Sequence, residues 1–145
     1  MTGPVITPVK LSHGTLECHD MKASRRFYEE FLGLECVRHG PRSMMLRKGG
    51  DWSVVCVDAG NKVHPQHLYN HWGIDVATKD EVDAAHARAL ELKATYAIKT
   101  IAKPKEIHGA YSFFLKDLNS SWWEVQFRSG FTYKELFERG DAYPM

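Results

Sequence analysis

Short runs with period-two alternation of apolar and polar residues are separated by stretches with helical spacing. Val9 to Cys18 is the first predicted strand, with His13, Thr15 and Glu17 on one face and Leu16 on the other. Asp20 is placed to cap the following helix, in which Phe27, Tyr28, Phe31 and Leu32 form the apolar stripe. Gly33 is a predicted stop. Short strands follow at Leu34 to Arg38 and Ser43 to Arg47, and a Gly49-Gly50 hairpin leads into Trp52 to Asp58. Residues 1–8, with Pro4 and Pro8, read as an irregular lead-in.

A polar connection from Ala59 to Tyr69 leads into a second run of the same kind. Asn70 to Ala77 is a strand with His71, Gly73 and Asp75 on one face and Trp72, Ile74 and Val76 on the other. Thr78 and Glu81 have capping-box spacing, and Val82, Ala85, Ala89 and Leu92 form the stripe of the next helix. Thr95 to Ala102 reads as a strand, Lys103 to His108 as a loop, Ala110 to Lys116 as a strand, Asp117 to Ser120 as a turn and Ser121 to Arg128 as the last strand. In the tail, residues 129–145, Phe131, Tyr133, Leu136 and Phe137 suggest a short helix.

The chain therefore reads as one unit written twice. The fold expected is α+β: two βαβββ modules, about 9–58 and 70–128, forming a curved, barrel-like mixed sheet around a central site, with helices outside. Both first strands run histidine, two residues, aliphatic, carboxylate, and His13 and His71 lie 58 positions apart. Aligning Asp51-Trp52-Ser53-Val54-Val55 with Ser121-Trp122-Trp123-Glu124-Val125 sets Val54 against Glu124.

Composition narrows the function. A length of 145 residues suits one compact domain, and 43% hydrophobic with 26% charged residues argues against disorder. The net charge of +1, without a basic run, points away from nucleic acid and from an anionic membrane surface. No apolar run reaches membrane-spanning length, and the opening residues lack the pattern of a secretory signal. Cys18, Cys36 and Cys56 are scattered, as expected of reduced thiols in a cytoplasmic protein. Eight histidines are many for this length, and they direct attention to histidine chemistry.

The faces bearing His13, His71 and Glu124 are expected to share one interior. Two imidazoles and one carboxylate make a facial triad, which leaves about three sites open on an octahedral ion, as in non-haem Fe(II) oxygenases. A lone strand histidine is more often an ordinary core or surface residue. Matching placement in a repeat raises the metal reading, as does Glu124 between Trp123 and Val125, where a carboxylate needs a cation or a proton.

These residues carry a family resemblance. The His13 strand, Phe27-Tyr28-Glu29-Glu30-Phe31-Leu32-Gly33-Leu34, Asn70-His71-Trp72-Gly73-Ile74, and Phe113-Phe114-Leu115-Lys116-Asp117 before Trp122-Trp123-Glu124 resemble the vicinal oxygen chelate superfamily over roughly residues 9–128. That superfamily includes glyoxalases, bleomycin-binding proteins and type I extradiol dioxygenases. Its metal-binding glyoxalases draw a fourth ligand from the first-half position matching Glu124. Val54 in that position makes the chain look most like a single-domain extradiol enzyme.

The resemblance implies a small catechol, such as a dihydroxyphenylalanine-like molecule, and O2 as substrates, with Fe(II), or alternatively Mn(II), on His13, His71 and Glu124. It also implies His108, 16 residues before Glu124, as acid/base, with Tyr111 assisting. The plainer roles are a solvated loop histidine and a strand-packing tyrosine, and the usual tyrosine place aligns with Phe114. Arg38, Arg42 and Arg47 are cations for a substrate carboxylate, with surface solvation as the plainer role. Alternatives are a glyoxalase-type lyase, isomerase or transferase using another metal, and a non-enzymatic drug-sequestering protein. The apolar tail and sheet edges suggest a homodimer.

Overall fold

The computed structural model describes residues 3–145. Of the expected irregular lead-in, positions 1 and 2 lie outside the described residues, and residues 3–8 form no helix or strand. The chain divides into two compact units, Met1–His64 and Pro65–Met145. The division falls within the polar connection between the repeats.

The first unit runs β1 (His13–Cys18), α1 (Met21–Arg26), β2 (Glu35–Gly40), β3 (Ser43–Arg47) and β4 (Ser53–Asp58). Its sheet has the order β1-β4-β3-β2, with β1 parallel to β4 and the other pairs antiparallel. Strand β1 begins at His13 rather than Val9 because its partner β4 begins at Ser53, opposite His13. Upstream, Val9 and Leu11 have no strand to pair with and stand exposed. Asp20 caps α1, its Oδ1 accepting from the Ala23 N–H at 2.7 Å. The helix continues as a π turn over Phe27–Phe31, which buries Phe27 and Tyr28 completely, and Gly33, at φ 69°, ends it.

The second unit repeats this order with one strand more and a tail helix. Strand β5 (Trp72–Asp75), α2 (Lys79–Glu91), β6 (Thr100–Ile101), β7 (Lys105–Ile107), β8 (Ala110–Lys116) and β9 (Trp122–Arg128) are followed by the tail helix α3 (Tyr133–Arg139). The sheet order is β5-β9-β8-β6, with β7 also paired to β8, and β5 runs parallel to β9. The predicted capping box forms as read: Glu81 N–H donates to Thr78 Oγ1 at 3.1 Å, and Thr78 N–H donates to Glu81 Oε2 at 3.2 Å. Helix α2 packs on β8 and β9. Phe113, Leu115, Trp123 and Val125 alternate along those strands into that buried side.

Two predicted elements change. The strand expected from Thr95 keeps only Thr100 and Ile101, because hydrogen bonds from Tyr96 to Leu92 and from Ile98 to Lys93 hold turns beyond α2. The loop expected at Lys103 to His108 contains β7 instead. It pairs with β8 through a two-residue turn at His108 and Gly109, with φ 51° and 78°. Positive φ at both turn positions matches the twist of a tight hairpin.

The strand register also corrects the internal alignment. In the first unit Thr15, two residues after His13, pairs with Val55; in the second, Gly73, two residues after His71, pairs with Glu124. The counterpart of Glu124 is therefore Val55, and Val54 matches Trp123. Val54 and Trp123 are both buried, 7% and 3% exposed, on the side away from the histidines. A one-residue slip in a strand moves every side chain to the other face. Valine cannot ligate, so the absence of a ligand there stands.

Candidate metal centre

In the second unit, a 3-10 turn over Leu68–Asn70 delivers His71 to the start of β5. The turn's Leu68 carbonyl lies 2.7 Å from His71 Nδ1. A carbonyl only accepts, so Nδ1 carries a hydrogen and Nε2 is the nitrogen left to face the carboxylate. Nε2 lies 3.4 Å from Glu124 Oε1. The other carboxylate oxygen, Oε2, accepts from Ser112 Oγ at 2.7 Å. Ser112 reaches it because Phe114 pairs directly with Glu124 and Ser112 lies two residues along on the same face. The Phe114 ring meets the His71 imidazole edge-on, centroids 4.9 Å apart.

A proton or a cation between the two groups makes the arrangement favourable. A histidine fixed through Nδ1 by a backbone carbonyl, beside a carboxylate held by a hydroxyl, could hold a divalent metal together with further ligands. The Glu124 side chain is 13% exposed and that of His71 30%, so the pair is sheltered yet reachable. Gly73, the strand partner of Glu124, leaves room: a Cβ built there meets nothing within 4 Å.

In the first unit His13 opens β1 on the face of Thr15, Glu17 and Val55, exposed, with Ser12 Oγ 2.8 Å from its Nδ1. On that face Glu17 accepts from the His64 backbone N–H and ring, at 3.0 and 2.9 Å. These contacts, the backbone N–H foremost, hold Glu17 below the usual carboxylate range. Among the described residues, no three His, Cys, Asp or Glu side chains stand together as a metal-holding set.

His108 occupies the exposed tip of the β7–β8 hairpin. Four residues of β8, roughly 13 Å, separate the hairpin end at Ala110 from Phe114 beside Glu124. Tyr111 lies on the opposite face of β8 from Ser112. It donates to Asp83 Oδ1 of α2 at 2.5 Å, and Lys79 sits over its ring. The hydrogen bond to Asp83 is the main cause pushing the Tyr111 phenol above its ordinary value. Within this unit neither residue joins His71 and Glu124.

The fold instead brings a different set to that face. Gln126, two residues after Glu124, donates from Nε2 to Asp75 Oδ1 at 2.6 Å and to the Tyr133 hydroxyl at 2.9 Å. The Arg128 guanidinium lies over the Tyr133 ring, and its Nε donates to the Phe131 carbonyl at 2.7 Å. The tail is thereby tied to the Glu124 side of the sheet. Ser112 was recoverable from alternation once its strand's register was known. Tyr133 carried no positional signal beyond membership of an apolar tail.

Comparison with known proteins places these observations. The glyoxalase-like domain family matches residues 13–108, about two thirds of the chain. No curated sequence relative matches at a significant level. Among solved structures, the fosfomycin resistance protein FosX from Listeria monocytogenes is similar with a TM-score of 0.65 or better, namely 0.68, at 18% identity, over 89% of this chain and 98% of that one. The oxidase ChaP-H2 is similar with a TM-score of 0.65 at 23% identity, over 84% of this chain and 95% of that one. The antibiotic-binding protein TnmS3 from a Streptomyces species gives 0.64 at 20% identity, over 88% and 100%. At such identities the likeness is one of fold. No helix among the described residues is long and apolar enough to cross a membrane. With a family match that spans residues 13–108 and so reaches both units, the chain belongs to the glyoxalase-like, vicinal oxygen chelate family.

Proposed function

We infer that the chain is a divalent-metal enzyme that opens the ring of a small catechol beside its diol, with O2 as co-substrate and Fe(II), or alternatively Mn(II), as the metal. The observation that carries this reading is His71 Nε2 facing Glu124 Oε1 at 3.4 Å. His13 is the proposed third ligand, from its matching place in the first unit's leading strand. Two histidines and a carboxylate leave about three octahedral sites for a chelating diol and O2. Val55 in the place of a fourth ligand favours this open-sided chemistry over a four-ligand isomerase.

A divalent ion held by these residues would supply a common site for the diol and O2 and a path for electrons between them. The protein's part is positioning. The Leu68 carbonyl fixes the His71 tautomer, and Ser112 holds one oxygen of Glu124 so that the other faces His71. The Phe114 ring limits water on one side of the imidazole, and Gly73 adds no side chain beside Glu124. Tyr133 accepts from Gln126 and so keeps its own O–H to donate to a ligand oxygen. We assign proton handling to Tyr133, which stands on the Glu124 side of the sheet, over His108 and Tyr111, which the resemblance implies.

Anaerobic loading with Fe(II), then catechol and air, tests the reading. A yellow ring-fission product that His71→Ala fails to form supports it. Metal uptake without catechol turnover transfers the pair to a lyase, isomerase or transferase. Ligand binding that is indifferent to metal and to His71→Ala favours a sequestering protein.

A further inference from the structure

The tail leaves β9 through a contact between two glycines. The Gly109 carbonyl, in the β7–β8 turn, accepts from the Ser129 N–H at 3.0 Å, the Gly130 N–H at 2.9 Å and Ser129 Oγ at 3.3 Å. A Cβ added at Gly130 would lie 3.3 Å from Gly109 Cα and 3.4 Å from its carbonyl oxygen. A side chain there would push the two backbones apart, and its absence leaves the chain free to turn. The tail's starting point is therefore fixed, while its direction is set further along.

Beyond this point α3 is a unit of its own. Thr132 Oγ1 accepts from the Glu135 N–H at 3.1 Å, and the Thr132 N–H donates to Glu135 Oε2 at 3.4 Å, a second capping box. The Arg139 guanidinium stacks over the Phe131 ring, 3.9 Å from its centroid. Yet α3 buries none of its seven residues, and Leu136 and Phe137 are 40% and 89% exposed. Polar ties hold it to the sheet: Gln126 Nε2 to the Tyr133 hydroxyl, the Arg128 guanidinium 4.7 Å over the Tyr133 ring, and Arg128 Nε to the Phe131 carbonyl. An element fastened by exposed polar contacts, without buried apolar area, opens readily, as active-site lids do.

The sheet end of this latch is rigid. Gln126 is 4% exposed, and its Nε2 gives its other hydrogen to Asp75 Oδ1 at 2.6 Å. Asp75 is the β5 partner of Gln126, so the β5–β9 pair presents the amide to Tyr133 in one orientation. Gln126 follows Glu124 by two residues on the same face, roughly 7 Å along the strand. The latch closes beside the His71–Glu124 pair.

We propose that residues 129–139 form a strap over the Glu124 face, which pivots on the Gly109–Gly130 contact, latches through Tyr133 on Gln126 and controls access to His71. The strap is read from the tail's own contacts. Resting on the function proposed above, what it encloses is the ligand pair of the metal: the diol enters with the strap open, and water is kept out with it closed.

Diethyl pyrocarbonate labelling of the metal-free full chain, resolved by peptide mass spectrometry, tests this. The reagent acylates unprotonated imidazole, so the labelling rate of His71 reports its access, with the exposed His39 of the first unit as reference. Gln126→Ala removes two hydrogen bonds and is expected to speed His71 labelling and amide hydrogen exchange over 131–139 about tenfold, with His39 and the amides of β8 and β9 unchanged. Gly130→Val alters the pivot and no group on the face, and is expected to act in the same direction. His71 labelling equal to the wild type in either variant, even where the tail exchanges faster, overturns the proposal. Mn(II) uptake by the same proteins separates the two readings. A chain that takes up no Mn(II) but shows the expected labelling loses the metal function and keeps the strap. One that binds Mn(II) while His71 labelling ignores both variants keeps the metal and loses the strap.

Discussion

The two units share the parallel pairing and register of their first and last strands, yet they spend the same positions differently. Where β4 carries Val55 opposite Thr15, β9 carries Glu124 opposite Gly73. Beside those positions, β3 offers Met45, while β8 offers Phe114 with Ser112 two residues away. The second unit thus builds a supported carboxylate–imidazole pair, and the first builds a cavity edged by Glu35, Arg47 and Asp51. A duplicated fold allows this division because each sheet is stabilised from its buried side. In both units that side is filled by large apolar residues, such as Met44 and Leu46 in one and Phe113 and Leu115 in the other. The opposite face is free to diverge.

The hairpins ahead of the two last strands differ as well. The first turns through Gly49 and Gly50, both at positive φ. The second is knotted around buried Asp117, which accepts from the backbone N–H groups of Asn119 and Ser121 and from Trp123 Nε1 at 2.8, 3.0 and 2.9 Å. Asp117→Ala leaves those donors without their acceptor and is expected to destabilise the fold by about 3 kcal/mol, read by denaturant unfolding. A change below about 1 kcal/mol means that water replaces the carboxylate and that the knot is not what fixes β9.

The next contrast is between two tyrosines. Tyr133→Phe is expected to lower catechol turnover about 30-fold without loss of metal uptake, since it removes one proton donor at the Glu124 face. Tyr111→Phe, on the helix side, is expected to leave turnover within about twofold. The reverse pattern in steady-state rates returns the assisting role to Tyr111. Smaller still, Ser112→Ala removes the support of Glu124 Oε2 and is expected to weaken metal affinity about tenfold, as loss of outer-shell support does. An unchanged affinity means that Glu124 is oriented by strand packing alone.

Local signals that depend on near neighbours were legible in the sequence. The Thr78–Glu81 capping box and strands β3 and β8 follow from residues that meet within a few positions. What the sequence hid was relative register. The Trp52/Trp122 match sets Val54 against Glu124, and only the β1–β4 and β5–β9 pairings show the slip of one residue. The same parity separates Tyr111 from Ser112 and Phe114. It is fixed by how the Asp117 turn seats Phe114 opposite Glu124, a tertiary fact with no local signature. Strand β7 was hidden because Lys105-Glu106-Ile107 lacks alternation and pairs only through the His108-Gly109 turn.

The most direct test of the comparison is metal binding by matched variants of the two units. Fe(II) or Mn(II) binding is measured anaerobically for the wild type, Glu124→Gln and Val55→Ala. The account predicts tight binding of about one ion per chain in the wild type and in Val55→Ala. It predicts a loss of at least about hundredfold in Glu124→Gln, which keeps the shape and removes the charge. Equal binding by the wild type and Glu124→Gln contradicts it.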